Sequence, residues 1–378
     1  MYYNAILFLM TRVHLIRLYP NEQQRVMLAK TAGVTRYCYN WGLAKWNEMH
    51  ERGEHCDQYL LSRMWTKEKP DWANEVSRDA QTKAFLNLGG AFSKFFSKKT
   101  RHPVFHKKGK RDTFYIPNEK AWIKNFDKLH LTKIGDVNLA EKLRFEGKIL
   151  RYVVSRKADQ WYVSISVELT EEPQKTKDET PIGIDVGAKH WAVTSDGEVL
   201  DRPKRLTKLE KRLKHAQRVM ARKKKGSKNR LKARIKVARI YKRIHDVKLD
   251  AAHKFTSRIA KNHGIVCCED LNVTGMQSGR KSIRKAAYNG LMTEIRRQLS
   301  YKAAHYVEVD RFYPSSKTCS SCGHKRDDLT LNDRTYRCPA CGAVIDRDLN
   351  AAINIRNEGM RIFTEGHSES ACGGCGSN

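Results

Sequence analysis

The chain has 378 residues, of which 40% are hydrophobic and nine are proline. It is therefore long enough for two or three domains with real cores, and its composition excludes a disordered chain. Its 73 lysines and arginines against 41 acidic residues give a formal net charge of +32, which favours a polyanionic partner, nucleic acid first. No run of 18 or more apolar residues occurs, so a membrane partner is not expected.

The N-terminus and the cysteines indicate a reducing compartment. The opening stretch MYYNAILFLMTR has neither a basic region before its apolar residues nor a small-residue cleavage site, so no signal peptide is expected. Without export, paired cysteines more often hold a metal ion than form disulfides. The ten cysteines of this chain are therefore candidates for metal binding.

The first hundred residues predict one strand followed by helices. Residues 12–19 alternate and end at Pro20-Asn21, which predicts a strand and then a helix start. Residues 21–98 carry apolar side chains at helical spacing. The run AFLNLGGAFSKFFSKK predicts a further helix, with its phenylalanines in a core and base stacking as the alternative.

A β pattern replaces the helical one from about residue 100. The segment RHPVFHKKGKRDTFYIP is basic with interleaved aromatics, which is typical of nucleic-acid contact and equally of a sheet edge. The segments KLHLT, ILRYVVSRK and QWYVSISVEL alternate at period two, and the last two are joined by a short turn. A β-barrel or sheet is therefore predicted over about 104–170, followed by a polar linker.

The segment 182–197, IGIDVGAKHWAVTSDG, predicts a buried strand, a turn and a second strand, with Asp185 inside the apolar run. A carboxylate in such a place must be paired, protonated or bound to a metal ion. Two further groups of acidic residues follow along the chain. The strand HGIVCCEDLNV ends in Glu269 and Asp270, and in DRDLNAAINIR Asp346 and Asp348 precede a helix whose small residues face inward.

These acids allow two chemical interpretations. Oxygen ligands from several carboxylates can hold two magnesium ions for phosphodiester hydrolysis. Pairing of each acid with the abundant lysines and arginines is the alternative. The strands around Asp185 and Glu269 and the helix after Asp348 together suggest an RNase H-like fold, in which the acids converge at the edge of a mixed sheet.

The most charged region spans residues 205–245 and contains one acid, Glu210. Apolar stripes on both sides of Gly226-Ser227 predict two helices that form a hairpin. A solvated surface is the ordinary interpretation of a charge run, but charges of one sign repel each other without a polyanion, so nucleic-acid contact is favoured. The candidate contact residues in the hairpin and in the basic segment before the barrel are Lys223, Lys224, Lys225, Lys228, Arg230, Lys232, Arg234, Lys107, Lys108 and Lys110.

Two CxxC pairs, Cys319/Cys322 and Cys338/Cys341, are separated by fifteen residues and predict a zinc ribbon in which four thiolates hold one ion. Such a closed coordination shell leaves no position for a catalytic water, so the role is structural. A disulfide pair is the alternative. Cys372 and Cys375 are expected to lie in a flexible tail and to bind no metal ion.

Four segments taken in order, GIDVGAKHWAVTSDG, CEDLNVTGM, RFYPSSKTCSSCG and DRDLNAAINI, resemble the TnpB family of transposon-encoded, RNA-guided DNA endonucleases, which are related to the type V CRISPR effectors. The basic hairpin and the N-terminal segments RLYPNEQQ, RYCYNWGLAKW and RHPVFHKKGKRDTF are similar to that family as well, so the resemblance covers nearly the whole chain. It implies a RuvC-like triad of Asp185, Glu269 and Asp348, with two magnesium ions.

The resemblance also implies a fold of mixed α/β and α+β domains: a helical recognition region, a wedge-like β-barrel, and an RNase H-like RuvC nuclease with an inserted zinc ribbon. The expected boundaries are 1–20 for the first barrel strand, 21–103 for the helical domain and 104–178 for the rest of the barrel. The nuclease would occupy 179–316, with the basic hairpin at 204–247, and resume at 344–362. The ribbon is expected at 317–343 and the flexible tail at 363–378.

The function implied by the resemblance is cleavage of double-stranded DNA by one RuvC-like site. A guide RNA from the transposon end would pair with one target strand, and the N-terminal helical and β regions would read a short flanking motif. One protein per guide RNA is the simplest stoichiometry, and the expected location is the prokaryotic cytosol, at the nucleoid. The alternatives are a nuclease-silent, RNA-guided regulator, a zinc-ribbon DNA-binding factor, and a transposase that acts directly on transposon ends.

Overall fold

The computed structural model describes residues 11–109, 112–169, 175–187, 190–271, 291–330 and 333–372, with side chains as far as residue 365. The chain divides into two compact units, Met1–Glu172 and Pro173–Asn378. Among the helices described, none combines the length and the apolar character needed to cross a membrane. Each unit is built around its own hydrophobic clusters.

The helices of the first unit are α1 (Glu22–Glu51), α2 (Gln58–Glu68) and α3 (Arg78–Phe96), with a short 3-10 turn at Asp71–Glu75. Helix α1 begins after Asn21, whose side chain accepts from the Gln24 backbone while the Gln24 side chain accepts from the Asn21 backbone. Trp46 and Phe92 stack in the core between α1 and α3, at 4.1 Å between ring centroids. The core interpretation of Phe92 is confirmed, whereas Phe96 is exposed.

The strands of the first unit form one antiparallel, barrel-like sheet in the order β2-β6-β7-β1-β5-β4-β3. The N-terminal strand β1 therefore lies inside the sheet, between β7 and β5. Residues on alternate positions of β7 face a shared core, as the period-two pattern predicts. The strands are β1 (Thr11–Tyr19), β2 (Thr113–Pro117), β3 (Ala121–Lys124), β4 (Lys128–Leu131), β5 (Gly135–Leu139), β6 (Gly147–Lys157) and β7 (Gln160–Leu169).

The second unit contains a mixed five-stranded sheet in the order β10-β9-β8-β11-β12. Strands β8, β11 and β12 are parallel neighbours, and β9 pairs with β8 in the antiparallel sense. This is the sheet that an RNase H-like interpretation requires. The strands are β8 (Pro181–Asp185), β9 (Ala192–Thr194), β10 (Val199–Leu200), β11 (Ile265–Glu269) and β12 (His305–Val309), with a separate ribbon of β13 (Thr335–Arg337) and β14 (Val344–Asp346).

Within its described residues, the second unit has the helices α4 (Lys204–Ala221), α5 (Lys228–Asn262), α6 (Met292–Lys302) and α7 (Arg347–Cys372). Helices α4 and α5 form the predicted basic hairpin. The predicted boundary at residue 247 is wrong, because the 35-residue α5 continues to Asn262 and buries Phe255 and Ile259 beside the sheet. The predicted apolar stripes also extend too far, since Val219 and Leu231 near the tip are exposed.

Helix α7 corrects the predicted start of the tail. The sequence predicts a flexible tail from residue 363, whereas the helix continues to Cys372. Met360, Ile362 and Phe363 pack against the cluster formed by β11 and β12, so apolar contact extends the helix past the predicted boundary. Cys375 lies outside the described residues.

Candidate active site and zinc ribbon

The pairing of β8 with β11 places Asp185 and Glu269 at the same end of the sheet. The two strands are parallel, with Ile184 opposite Cys268, and each acid is the last residue of its strand. The residues before the acids are fully buried, which fixes the strand ends by packing. Two carboxylates are thereby held side by side at the carboxyl edge of a sheet.

Helix α7 supplies the third acid from its first turn. Asp346 accepts hydrogen bonds from the backbone N–H groups of Asp348 and Leu349, at 2.9 and 3.2 Å, and so caps the helix. Asp348 lies half-buried beside the strand ends. The two aspartates of DRDLN therefore differ in role: Asp346 begins the helix and Asp348 faces the other two acids.

Asp185, Glu269 and Asp348 line one open cavity of about 810 Å³. Burial, together with the neighbouring charges of Asp348 and Glu269, raises the pKa of Asp185 to about 7. Burial likewise raises the pKa of Glu269 to about 7, although a hydrogen bond from Ser315 opposes this. Asp185 is thus a buried acid beside two further carboxylates, and a cation bound between them would stabilise its ionised form.

Asp270 has a different environment from its neighbour Glu269. It binds Arg296 at 2.8 Å and also pairs with Arg311. These hydrogen bonds lower the pKa of the Asp270 carboxyl. The alternative of pairing with arginine is therefore realised at Asp270, whereas the three cavity acids remain available to a metal ion.

The donor set of the cavity fits hard divalent cations. Magnesium and manganese prefer carboxylate oxygens, and the three acids come from three different elements that converge on one solvent-accessible space. Phe312, which is 86% exposed, stands at the wall of the same cavity with Arg311. Its backbone N–H donates to Asp310 at 2.7 Å, so an ordered turn displays the ring.

The four cysteines of the ribbon meet in one cluster. Their sulfur atoms all lie within 4.8 Å of one another, with Sγ–Sγ distances of 3.7 Å between Cys319 and Cys341 and 3.5 Å between Cys322 and Cys338. Tetrahedral zinc with bonds of about 2.3 Å places sulfurs about 3.8 Å apart. The tetrad therefore fits one structural zinc ion, and these sulfur distances are far too long for disulfides.

The two knuckles are built alike, as their sequences predict. Gly323 and Gly342 have φ of 77° and 72°, and their N–H groups donate to the carbonyls of Cys319 and Cys338. Burial opposes ionisation of Cys338, but the backbone N–H groups of the second knuckle and hydrogen bonds from the thiols of Cys322 and Cys341 lower its pKa. A thiolate favoured before any metal binds is suited to a zinc ligand.

Two buried asparagines on α7 tie the ribbon to the helix that carries Asp348. Asn350 and Asn354 both donate to the carbonyl of Thr318 at 2.7 Å, and Asn350 accepts from the backbone of Ser320 at 2.9 Å. Sequence reasoning missed this role. The available signal was two amides four residues apart inside an otherwise apolar helix face.

The basic candidates divide into exposed and internally bound residues. Arg230 donates to the carbonyls of Met220 and Lys223 at 3.0 and 2.9 Å, so it caps the end of α4, and its contact with nucleic acid stays a prediction. Lys110 lies outside the described residues. The exposed candidates are Lys223, Lys224, Lys225, Lys228, Lys232, Arg234, Lys107 and Lys108.

Comparison with known proteins connects this geometry to one family. Residues 164–280 match the family model described as "Probable transposase", residues 293–355 match "Cas12f1-like, TNB domain", and residues 10–55 match "Helix-turn-helix domain". The last description does not fit the structure, in which these residues form strand β1 and the continuous helix α1, with residues 52–55 following the helix. The second match spans the cysteine tetrad.

Two relatives are similar to this chain over nearly its whole length. A protein of Streptomyces pristinaespiralis named "Putative RNA-guided DNA endonuclease" is 35% identical over 94% of this chain and 90% of its own length. The Escherichia coli protein named "Putative RNA-guided DNA endonuclease InsQ" is 29% identical over 94% of this chain and 92% of its own. In fold, the chain is similar to the protein in a Cas12f1-sgRNA-target DNA complex, with a TM-score of 0.55 and 14% identity, covering 92% of this chain and 99% of that one. The chain belongs to the TnpB family.

Proposed function

We propose that this protein is an RNA-guided DNA endonuclease that cuts double-stranded DNA at the cavity lined by Asp185, Glu269 and Asp348. The observation that supports it best is the convergence of these acids, from two adjacent strands and one helix, on one open cavity. The names of the full-length relatives point to the same activity. The intact acids count against the nuclease-silent regulator.

The three acids would hold two magnesium ions, which when bound activate a water molecule and stabilise the leaving oxygen. The chain itself contributes the positions of the carboxylates. Asp185 and Glu269 are fixed by their strands, and Asp348 is fixed by the helix that Asp346 caps. Arg296 and Arg311 neutralise Asp270, which keeps that fourth carboxylate from competing for the ions.

The guide RNA and the target DNA are assigned to the positive surfaces of the chain. Exposed lysines at the tip of the α4–α5 hairpin offer contacts to phosphate without sequence information, as expected when base pairing selects the target. One protein per guide RNA is the proposed stoichiometry. The proposed location is the cytosol of a prokaryotic cell, at the nucleoid.

The flanking DNA motif is assigned to a cavity of about 520 Å³ in the first unit, lined by residues of α1, α3, β2 and β6. Lys83 and Asn87 lie four residues apart on α3, and Arg151 reaches the cavity from β6. Amide and guanidinium groups are suited to hydrogen bonds with base edges in a groove.

Cleavage of a plasmid library tests the function directly. The library carries a guide-matched target beside randomised flanking bases and is treated with the purified ribonucleoprotein in magnesium, in EDTA or after RNase. Cutting that requires both RNA and magnesium, next to one enriched flank, is the expected result. Tight, RNA-dependent binding without cutting under any metal condition would favour the regulator, and cutting that survives RNase would favour a transposase.

A further inference from the structure

We propose that Asn350 and Asn354 are positioning residues, which make the zinc ribbon a working part of the metal site formed by Asp185, Glu269 and Asp348. This inference rests on the proposed function only in that these three acids bind divalent ions. It concerns a connection between two metal sites that would otherwise be independent: a closed structural one and an open one.

The connection runs through residues 315–320, which lead into the ribbon. At one end, Ser315 lines the same cavity as Glu269, near enough for its hydroxyl to lower the pKa of the Glu269 carboxyl. At the other end is Cys319, one of the four clustered thiols. A segment of six residues therefore contacts both a strand-borne acid of the cavity and the zinc tetrad.

The two asparagines fix this segment to helix α7. Asn354 donates to the carbonyls of Ser315 and Thr318, both at 2.7 Å. Asn350 donates to Thr318 at 2.7 Å and accepts from Ser320 at 2.9 Å, so its hydrogen bonds fall on both sides of Cys319. Asn350 is fully buried and Asn354 is 4% exposed, so water cannot replace these bonds without rearrangement.

The consequence for the acids follows from their places in the chain. Asp348 lies two residues before Asn350 on the same helix, and Glu269 is bound by the residue that Asn354 holds. Zinc would fix the position of Cys319, and the two asparagines hold the segment around it against α7. Helix α7 carries Asp348, and Ser315 of the same segment lies beside Glu269. Loss of either the amides or the zinc therefore loosens the same pair of carboxylates.

The test uses the full-length chain with Asn350→Ala or Asn354→Ala, and Asn357→Ala as the matched control on the exposed side of the same helix. Mn²⁺ binding is measured by electron paramagnetic resonance on RNA-free protein. Groups that orient metal ligands typically change metal affinity by about 10–100-fold, so a loss of at least about tenfold is expected for the first two variants. The control should stay within about twofold of the wild type.

Zinc depletion supplies the second arm. Wild-type protein stripped of zinc, with the chelator dialysed away, should lose Mn²⁺ affinity to a similar extent, and stripping Asn354→Ala should add little more, because both changes break one connection. In cleavage assays, kcat should fall with an unchanged KM for target DNA, and high Mn²⁺ should restore kcat. A role confined to stability would not produce this dependence on Mn²⁺.

Unchanged Mn²⁺ affinity in folded Asn350→Ala and Asn354→Ala proteins would overturn the proposal, as would additive losses from zinc depletion and Asn354→Ala. If the alanine variants do not fold, Asn354→Asp removes the donor at constant size and is expected to give the same loss. Asp185→Ala separates the two proposals: if it leaves Mn²⁺ affinity unchanged, the acids are not the metal site, and the proposed function fails independently of the asparagines.

Discussion

Gly183 of β8 lies directly against the backbone carbonyl of Ala352 in α7. A Cβ atom at residue 183 would stand 2.0 Å from that oxygen, closer than any real contact allows. Ala351 and Ala352 are themselves buried, so small residues on both elements let the helix approach the strand. Because Asp185 follows Gly183 by two residues, this close approach sets how near α7 brings Asp348 to the strand ends.

Gly183→Ala is expected to push α7 away from the sheet and to lower the free energy of unfolding by about 1–3 kcal/mol, as overpacking does. Thermal unfolding of the purified protein measures this. Gly90→Ala, in α3 of the other unit, is the control: its Cβ would meet nothing within 4 Å, and a helix gains about 0.5–1 kcal/mol from this change. A Gly183→Ala protein as stable as the wild type would contradict the packing argument.

Asp348→Asn is expected to reduce cleavage at least about a thousandfold while leaving guide RNA bound, since the acid faces the metal cavity. Asp346→Ser is the matched variant two residues away, because serine preserves the helix cap. It should cut within a few-fold of the wild-type rate. Equal losses in single-turnover assays of the two variants would show that the division of roles within DRDLN is wrong.

The raised pKa values of Asp185 and Glu269, each about 7, predict the pH dependence of metal binding. Only the carboxylates bind a cation, so Mn²⁺ must displace the protons, and its affinity should fall by roughly tenfold or more from pH 8 to pH 6. Calorimetric titration of RNA-free protein measures this. A constant affinity across this range would contradict the assigned ligands.

The same shifts predict the opposite trend for the stability of the metal-free protein. The unfolded chain ionises these acids near their ordinary pKa values of 3.8 and 4.5, so between about pH 4 and 7 the folded state binds more protons. The free energy of unfolding should therefore decrease as the pH rises through that window. Asp185→Asn should flatten the decrease in thermal unfolding scans.

The basic hairpin offers a contrast between exposed and capping residues. Replacing Lys223, Lys224 and Lys225 by alanine should reduce the slope of log affinity for RNA against log salt by about 2–3, with little effect on unfolding. Arg230→Ala should instead destabilise the hairpin by about 1 kcal/mol, because carbonyls at the end of α4 lose their donor. The reverse pattern would show that Arg230 acts through contact with nucleic acid and not as a cap.

Phe312 is expected to stack on a base of the strand that enters the acid cavity. Phe312→Ala should weaken binding of single-stranded DNA at the nuclease site by about 1–3 kcal/mol, whereas Phe312→Trp should retain it. Phe126, 72% exposed in the first unit, provides the control Phe126→Ala. Stacking is measured by the quenching of a fluorescent base in the bound DNA. If both alanine variants reduce this quenching equally, Phe312 has no special role.

Much of the site could be predicted because its chemistry is local in sequence. Asp185, Glu269 and the paired cysteines each sit at a strand end or in a short motif whose spacing has a direct physical meaning. The role of Arg230 could not be predicted, since the carbonyls it caps belong to the other helix of the hairpin. Asn354 was missed for the same reason: its partners lie 36 and 39 residues away and meet it only in the folded ribbon.

The apolar pattern of the hairpin shows a second limit of sequence reasoning. Val219 and Leu231 continue the helical spacing of their buried neighbours but lie past the point where the rest of the unit covers the hairpin. Periodicity identifies the face of a helix that is apolar. It does not tell how far along that face another element extends.

Helix α5 has a mechanical consequence. With 35 residues it is a rod of about 52 Å, and its far end is anchored by Phe255 and Ile259 next to the sheet, while Lys228 stands at its free tip. Its buried residues run from Val237 to Ala260, so only the first turns lack a buried side chain. A nucleic acid bound at the tip would therefore load one rigid helix whose other end lies three residues before β11, the strand that ends in Glu269.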